Sequence, residues 1–204
     1  DVSGSRNFGT LSQMKRDMMA EVAATLAFST IANNDKVGVI FFSDKIEKFI
    51  PAKKGKTHVL HIIRELLSFE PQSTGTDIAQ ALQYFANAQK RHCTAFLISD
   101  FIDAGNMYQP LMIASNRHEV NAIQIYDRRE AELPNVGLIK FHDAETGKDI
   151  WIDTAITSVR NNYAQAWRDN QDTIQQLFTR TGVDHVSIRT DEDYVKALMH
   201  LFRC

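Results

Sequence analysis

Five oxygen-bearing side chains stand where short loops meet regular elements. Asp1, Ser3 and Ser5 fall in the run Asp1-Val2-Ser3-Gly4-Ser5, just ahead of a helical pattern that begins at Thr10. Thr76 lies in Ser73-Thr74-Gly75-Thr76-Asp77, at the start of another helical pattern, and Asp100 closes Ser99-Asp100 after an apolar run. Carboxylates and hydroxyls are hard donors that suit Mg²⁺ or Mn²⁺ better than zinc or copper. Two carboxylates are too few for a saturated calcium cage. Magnesium prefers a near-octahedral shell and keeps some of its waters, so such a set leaves room for an external ligand. Taken singly, each loop also reads as helix capping, because Ser, Thr and Asp satisfy the free N–H groups of a first turn. Asp77 with Gln80 is a capping pair of that kind and stays outside the expected ligand set. The three loops together, at one sheet edge, favour the metal.

The elements that must position these residues follow from hydrophobic periodicity. Thr10 to Ala32 reads as a helix with Leu11, Met14, Met18 and Val22 at three- and four-residue steps, narrowed by Ala20, Ala23, Ala24 and Ala27. Val37 to Phe42 is apolar on both alternating faces, as a strand covered on both sides is. A partner strand follows over Glu47 to Ile50. Thr57 is placed to cap a helix with Val59, Leu60, Ile63, Leu66 and Leu67 on one stripe, and Ile78, Ala81, Leu82 and Phe85 mark another. Thr94 to Ile98 and Val120 to Ile125 read as buried strands, with a short helix over Met107 to Ala114 between them. Gly137 to Phe141 and Ile150 to Ile152 flank Asp143-Ala144-Glu145-Thr146-Gly147 as a β-hairpin. Ile156 to Thr181 is the longest helical pattern, with Val159, Tyr163, Trp167, Ile174 and Phe178 inward and Gly182 at its end. Asp184 to Arg189 alternates as an edge strand, and Thr190 and Asp193 are placed to cap a last helix through Phe202. Strands alternating with helices predict an α/β domain over residues 1–204, built on a mostly parallel sheet. In such sheets ligands sit beyond the carboxyl ends of the strands. A strand is expected directly before Asp1, and this chain does not contain it.

Composition excludes several classes. With 44% apolar and 24% charged residues in 204, the chain can bury a core and is neither disordered nor collagen-like. A formal net charge of -2 supplies no basic field for nucleic acid. Two cysteines, Cys93 and Cys204, make neither a disulfide scaffold nor a cysteine-built zinc site. The longest apolar runs fall far short of the roughly 20 residues of a membrane span, and no signal peptide is visible, so the expected location is the cytoplasm.

The Asp1 to Ser5 run resembles the D-x-S-x-S signature of von Willebrand factor type A domains and their metal-ion-dependent adhesion site. Thr76 and Asp100 match that site's second and third loops. The runs Asn34-Asp35-Lys36-Val37-Gly38, Leu97-Ile98-Ser99-Asp100-Phe101, Leu133-Pro134-Asn135-Val136-Gly137, Asp143 to Gly147 and Thr190-Asp191-Glu192-Asp193-Tyr194 narrow the resemblance to the bacterial domain-of-unknown-function family fifty-eight. The resemblance implies a Rossmann-like three-layer sandwich with a hairpin insertion. In it Ser3, Ser5 and Thr76 would reach Mg²⁺ or Mn²⁺ through hydroxyls, and Asp1 and Asp100 directly or through water. It also implies a non-enzymatic protein-interaction module whose partner supplies a carboxylate. The partner class would be a MoxR-type AAA+ ATPase or its client, with this domain as adaptor or co-chaperone. Family members carry a central strand before the first aspartate. The chain is therefore expected to be a fragment lacking its first central strand, with an empty or distorted site. If Asp1 is a genuine terminus, its amino group, near 7.7–8.0 in reference peptides, would be charged and would oppose a cation.

Two competing readings stand beside this one. A haloacid-dehalogenase-like phosphatase also uses Mg²⁺ and an aspartate after the first strand, but it needs a second aspartate where Ser3 stands, and a serine hydroxyl is a poor proton shuttle at neutral pH. A scaffold whose oxygen cluster never holds metal is the other. Gly55-Lys56-Thr57 lacks the earlier glycine of a P-loop. His58 and His61 read as surface histidines, Lys53, Lys54 and Lys56 as a solvated loop, Trp151 and Trp167 as packing residues, and Phe8 as packing under the first loop.

Overall fold

The computed structural model describes residues 1–3, 9–73, 75–102, 105–142 and 149–202. Its elements are α1 (Gly9–Ala32), β1 (Val37–Phe42), β2 (Ile46–Lys53), α2 (Lys56–Ser68), α3 (Ile78–Ala88), β3 (Thr94–Ser99) and α4 (Tyr108–Arg117). There follow β4 (Glu119–Tyr126), α5 (Arg128–Ala131), β5 (Leu138–His142), β6 (Asp149–Asp153), α6 (Thr157–Thr181), β7 (Asp184–Arg189) and α7 (Tyr194–Leu201). The chain is thus mixed α/β. Strands β3, β4 and β7 form a parallel sheet in that order, with Ile98 opposite Ile123 and Ile123 opposite Val186. As expected, β7 lies at the edge.

The central strand β4 explains how helices come to cover both faces of this sheet. Its side chains alternate between two cores, as a strand's period of two requires. Val120 and Ala122 join Leu97 against α3, α4 and α6, where Ile78, Leu82, Leu111, Ile174 and Phe178 are buried. Ile123 and Ile125 point the other way and join Ile188 against Val22 of α1 and Leu198 of α7. A third cluster seats α1 and α2 on β1, through Ala27, Phe41, Val59 and Ile62. Fully burying a side chain such as Phe178 contributes roughly 1.5–3 kcal/mol of transfer free energy, so the helices are held mainly by these faces.

Strands β1 and β2 pair antiparallel as a separate sheet. Among the described residues it is not hydrogen-bonded to the β3-β4-β7 sheet, so the mostly parallel sheet expected from the sequence is represented by three parallel strands. Asp1 and Val2 lie between the two sheets: Val2 N–H donates to Phe42 O at 2.8 Å, and the Asp1 nitrogen donates to Ile98 O at 3.0 Å. The two residues carry one donor to each neighbouring strand end. The β5–β6 hairpin pairs Leu138 with Asp153 and Lys140 with Trp151. Its expected loop, Asp143 to Gly147, lies outside the described residues.

Several local expectations are corrected. The face α2 buries is Val59 and Ile62, with Ile63 and Leu66 beside them, while Leu60 and Leu67 are exposed. The cause is angular: at about 100° per residue Leu60 and Leu67 fall to one side of the stripe that Val59, Ile62, Ile63 and Leu66 share. Helix α2 starts at Lys56 after Gly55, whose φ of 103° is open to glycine at little cost, and Thr57 makes no cap. Asp193 caps α7, but Thr190 instead donates to Asp127 Oδ2 at 2.8 Å. Trp151 is exposed rather than packed, while Trp167 lies against Tyr126 with ring centroids 5.4 Å apart. Gly182 ends α6 at φ 65°, as a helix-terminating glycine does.

Candidate metal site

The site is built from the end of β3. Ser99 is fully buried, and its hydroxyl donates to Asp1 Oδ2 at 2.5 Å while accepting from Phe101 N–H at 3.2 Å. The backbone then turns sharply, with Phe101 at φ 56°. A bulky residue in that region costs roughly 1–2 kcal/mol. Its ring offsets this by complete burial edge-on to Phe178, at 5.3 Å between centroids. Gln124 fastens the turn from β4, donating to Asp100 O at 3.0 Å, and its own Oε1 is held by Ser187 Oγ at 2.8 Å. Ile102 N–H donates to Asp100 Oδ1 at 3.2 Å, which fixes the carboxylate.

The first and second loops meet beside it. Asp1 Oδ1 accepts from Ser3 N–H at 2.8 Å and from the Ser3 hydroxyl. Thr76 Oγ1 donates to Ser3 Oγ at 2.5 Å, across 73 positions of sequence. Thr76 is held in place from several sides. Asp77 caps α3 through Gln80 N–H at 2.8 Å, and Asp77 N–H donates to Ser43 O at 2.8 Å. Glu47 Oε1 gathers Ser43 Oγ at 2.8 Å, Gln72 N–H at 3.1 Å and Ser73 N–H at 3.2 Å, tying the loop to β2.

Asp100 has a different partner. Lys15 Nζ of α1 lies 2.6 Å from Asp100 Oδ2 and 2.5 Å from Glu130 Oε1 of α5. Burial acts to lower the Lys15 ammonium but is outweighed by the two carboxylates, which hold it above its usual range. Glu130 is fixed through its other oxygen, which accepts from Asp127 N–H at 3.0 Å in the capping box of α5.

The structure therefore joins Asp1, Ser3 and Thr76 in one hydrogen-bonded chain, with Asp100 next along the backbone from the serine that contacts Asp1. Asp100 pairs with Lys15, and among the described contacts none links its side chain to the other three. Ser5 and Phe8 lie outside the described residues. Among the described residues no group of three or more His, Cys, Asp or Glu is gathered. The donor set is hard oxygen, hydroxyl-rich and poor in charge, which fits Mg²⁺ or Mn²⁺ with retained waters.

Sequence reasoning missed Lys15, Ser99 and Glu130 as parts of this arrangement. A signal existed for Lys15: it shares a helix face with Met18 and Val22, and a charge on an inward stripe is informative. Met14, which the same stripe was expected to include, is 50% exposed.

These observations define a mixed α/β chain with hydroxyl and carboxylate side chains of separate loops meeting beyond the end of β3. The family described as "Protein of unknown function DUF58" matches residues 1–173, and the chain belongs to that family. Uncharacterized proteins of Mycobacterium bovis and Mycobacterium tuberculosis are 30% identical over 199 residues, covering 96% of this chain and 62% of their own length. The chain thus spans less than two thirds of those relatives. Among solved structures, the conserved hypothetical protein BatB from Bacteroides thetaiotaomicron is similar in fold, with a TM-score of 0.57 at 15% identity over 93% of this chain and 89% of that one. An aerotolerance-related membrane protein from Bacteroides fragilis has a TM-score of 0.55 at 16% identity over 91% and 89%. Among the described residues no helix is long and apolar enough to cross a membrane.

Proposed function

We propose that this chain is a von Willebrand type A-like, Rossmann-like module that captures Mg²⁺ or Mn²⁺ and uses it to bind an acidic side chain of a protein partner. The observation that carries the reading is the bond between Thr76 Oγ1 and Ser3 Oγ at 2.5 Å, with Asp1 bound to Ser3 in turn. Loops far apart in sequence bring their hydroxyls and a carboxylate to one point. Asp1, Ser3, Thr76 and Asp100 would hold the ion, with Ser5 as the fifth member of the set. Asp1 is oriented by Ser3 N–H and Ser99 Oγ, and Asp100 by Ile102 N–H. Hydroxyls bring no charge, so the cation would stay under-neutralised and attract a further carboxylate strongly in a partly dry site. The chain works by binding, with no turnover of the partner. A MoxR-type AAA+ ATPase or its client is the proposed partner class.

The test immobilises the full-length protein and probes it with the MoxR-type ATPase of the same organism. Capture in Mg²⁺ that falls at least about tenfold in EDTA and in Asp100→Ala supports the reading. Equal capture under all three conditions, or none with either protein in Mg²⁺, contradicts it.

A further inference from the structure

The ammonium of Lys15 lies on the Asp100 oxygen that is not already taken by the backbone. Ile102 N–H occupies Oδ1 at 3.2 Å, and Lys15 Nζ occupies Oδ2 at 2.6 Å. The same ammonium has a second carboxylate within reach, Glu130 Oε1 at 2.5 Å, and Glu130 is anchored to the first turn of α5 through its other oxygen. We propose that Lys15 is a built-in competitor of the divalent cation, holding Asp100 when the site is free and resting on Glu130 alone when the ion takes Asp100. This rests on the reading of the site given above and assigns its regulation.

The physical case is one of exchange between positive charges. Lys15 is only 16% exposed, so its ammonium has left much of its water and depends on its two partners. A lysine charge is a compact point on a flexible stem, and small shifts move it between acceptors. A cation reaching Asp100 breaks one ion pair and leaves the other, so Lys15 is never left without a counter-charge. Glu130 lowers the cost of the exchange, and Lys15 raises the ion concentration at which it occurs. Asp127, which shares the α5 capping box with Glu130, also accepts from Thr190 Oγ1, so the exchange is placed to be felt at the end of β7.

The test titrates the full-length protein with Mn²⁺ and reads free ion by its electron paramagnetic resonance signal. Lys15→Gln should bind Mn²⁺ about tenfold more tightly or better, Lys15→Arg should stay near the parent, and Glu130→Gln should bind more weakly. Lys54→Gln, at an exposed position in the loop ahead of α2, measures the effect of net charge alone and should change little. Saturable binding by the parent, with Lys15→Gln unchanged or no tighter than Lys54→Gln, would overturn the competition and leave the site reading standing. No saturable Mn²⁺ binding by the parent or by Lys15→Gln would overturn the site reading and the competition with it. If Lys15→Gln does not fold by circular dichroism, Glu130→Gln decides: weaker binding supports the exchange, and unchanged or tighter binding overturns it.

Discussion

Glu47 carries much of the order of the second loop. One oxygen, Oε1, accepts from the Ser43 hydroxyl and from two successive backbone N–H groups, those of Gln72 and Ser73. Ser43 is fully buried, and its other side-chain acceptor is Asp44 Oδ1 at 3.2 Å. Glu47→Ala should therefore destabilise the fold by about 1–3 kcal/mol, the usual cost of leaving buried polar groups unpaired. Urea denaturation measures this, and a midpoint equal to the parent's would show that the carboxylate is dispensable. At this scale the hydroxyls that meet were legible in the sequence because Ser3 and Thr76 occur in loops whose neighbours start helices. Ser99 was legible as a loop residue but not as the partner of Asp1, since its hydroxyl acts across 98 positions of chain. Lys15 was hidden by its own apolar neighbours on α1, where the eye reads the stripe and passes over the charge.

Between elements, the close approach of β1 to β2 turns on Gly38. A Cβ there would stand 2.8 Å from both Ala52 N and Ile50 O, which are backbone atoms that no side-chain rotation can move aside. The pairing shifts register at this point, between Val37 opposite Lys53 and Val39 opposite Ile50. Gly38→Ala should cost about 1–3 kcal/mol, as overpacking does. It should lower the urea midpoint without changing the denaturant slope. An unchanged midpoint would mean that β2 yields freely and that the bulge is not held by contact. Element existence was well marked in the sequence, because α/β alternation leaves strong period signals in β3, β4 and α6. Caps were less so. Asp77 and Asp193 cap as expected, yet Thr190 is drawn off by Asp127, a partner 63 residues away. The short α5 went unread although Asp127 and Glu130 have the spacing of a capping box, because a single helical turn has no period to detect.

Across the whole molecule, the parallel sheet β3-β4-β7 and the β1–β2 sheet meet at Asp1 and Val2, which donate to Ile98 and Phe42. Asp1, Ser3, Thr76 and Asp100 lie near that meeting point. The predicted α/β layout expected strand ends to gather these loops, but not which strands hydrogen-bond to one another. Order along the chain reveals which elements alternate, whereas sheet continuity depends on which edges pair in space. The central claim is that the oxygens of Asp1, Ser3, Thr76 and Asp100 receive one divalent ion. Its most direct measurement is an anomalous difference map from crystals of the full-length protein grown with Mn²⁺. One strong peak is expected within coordination distance, about 2.1 Å, of the Ser3 and Thr76 hydroxyl oxygens, with its loss in Asp100→Ala. A well-ordered site with no peak there, or with the manganese bound elsewhere, would contradict it.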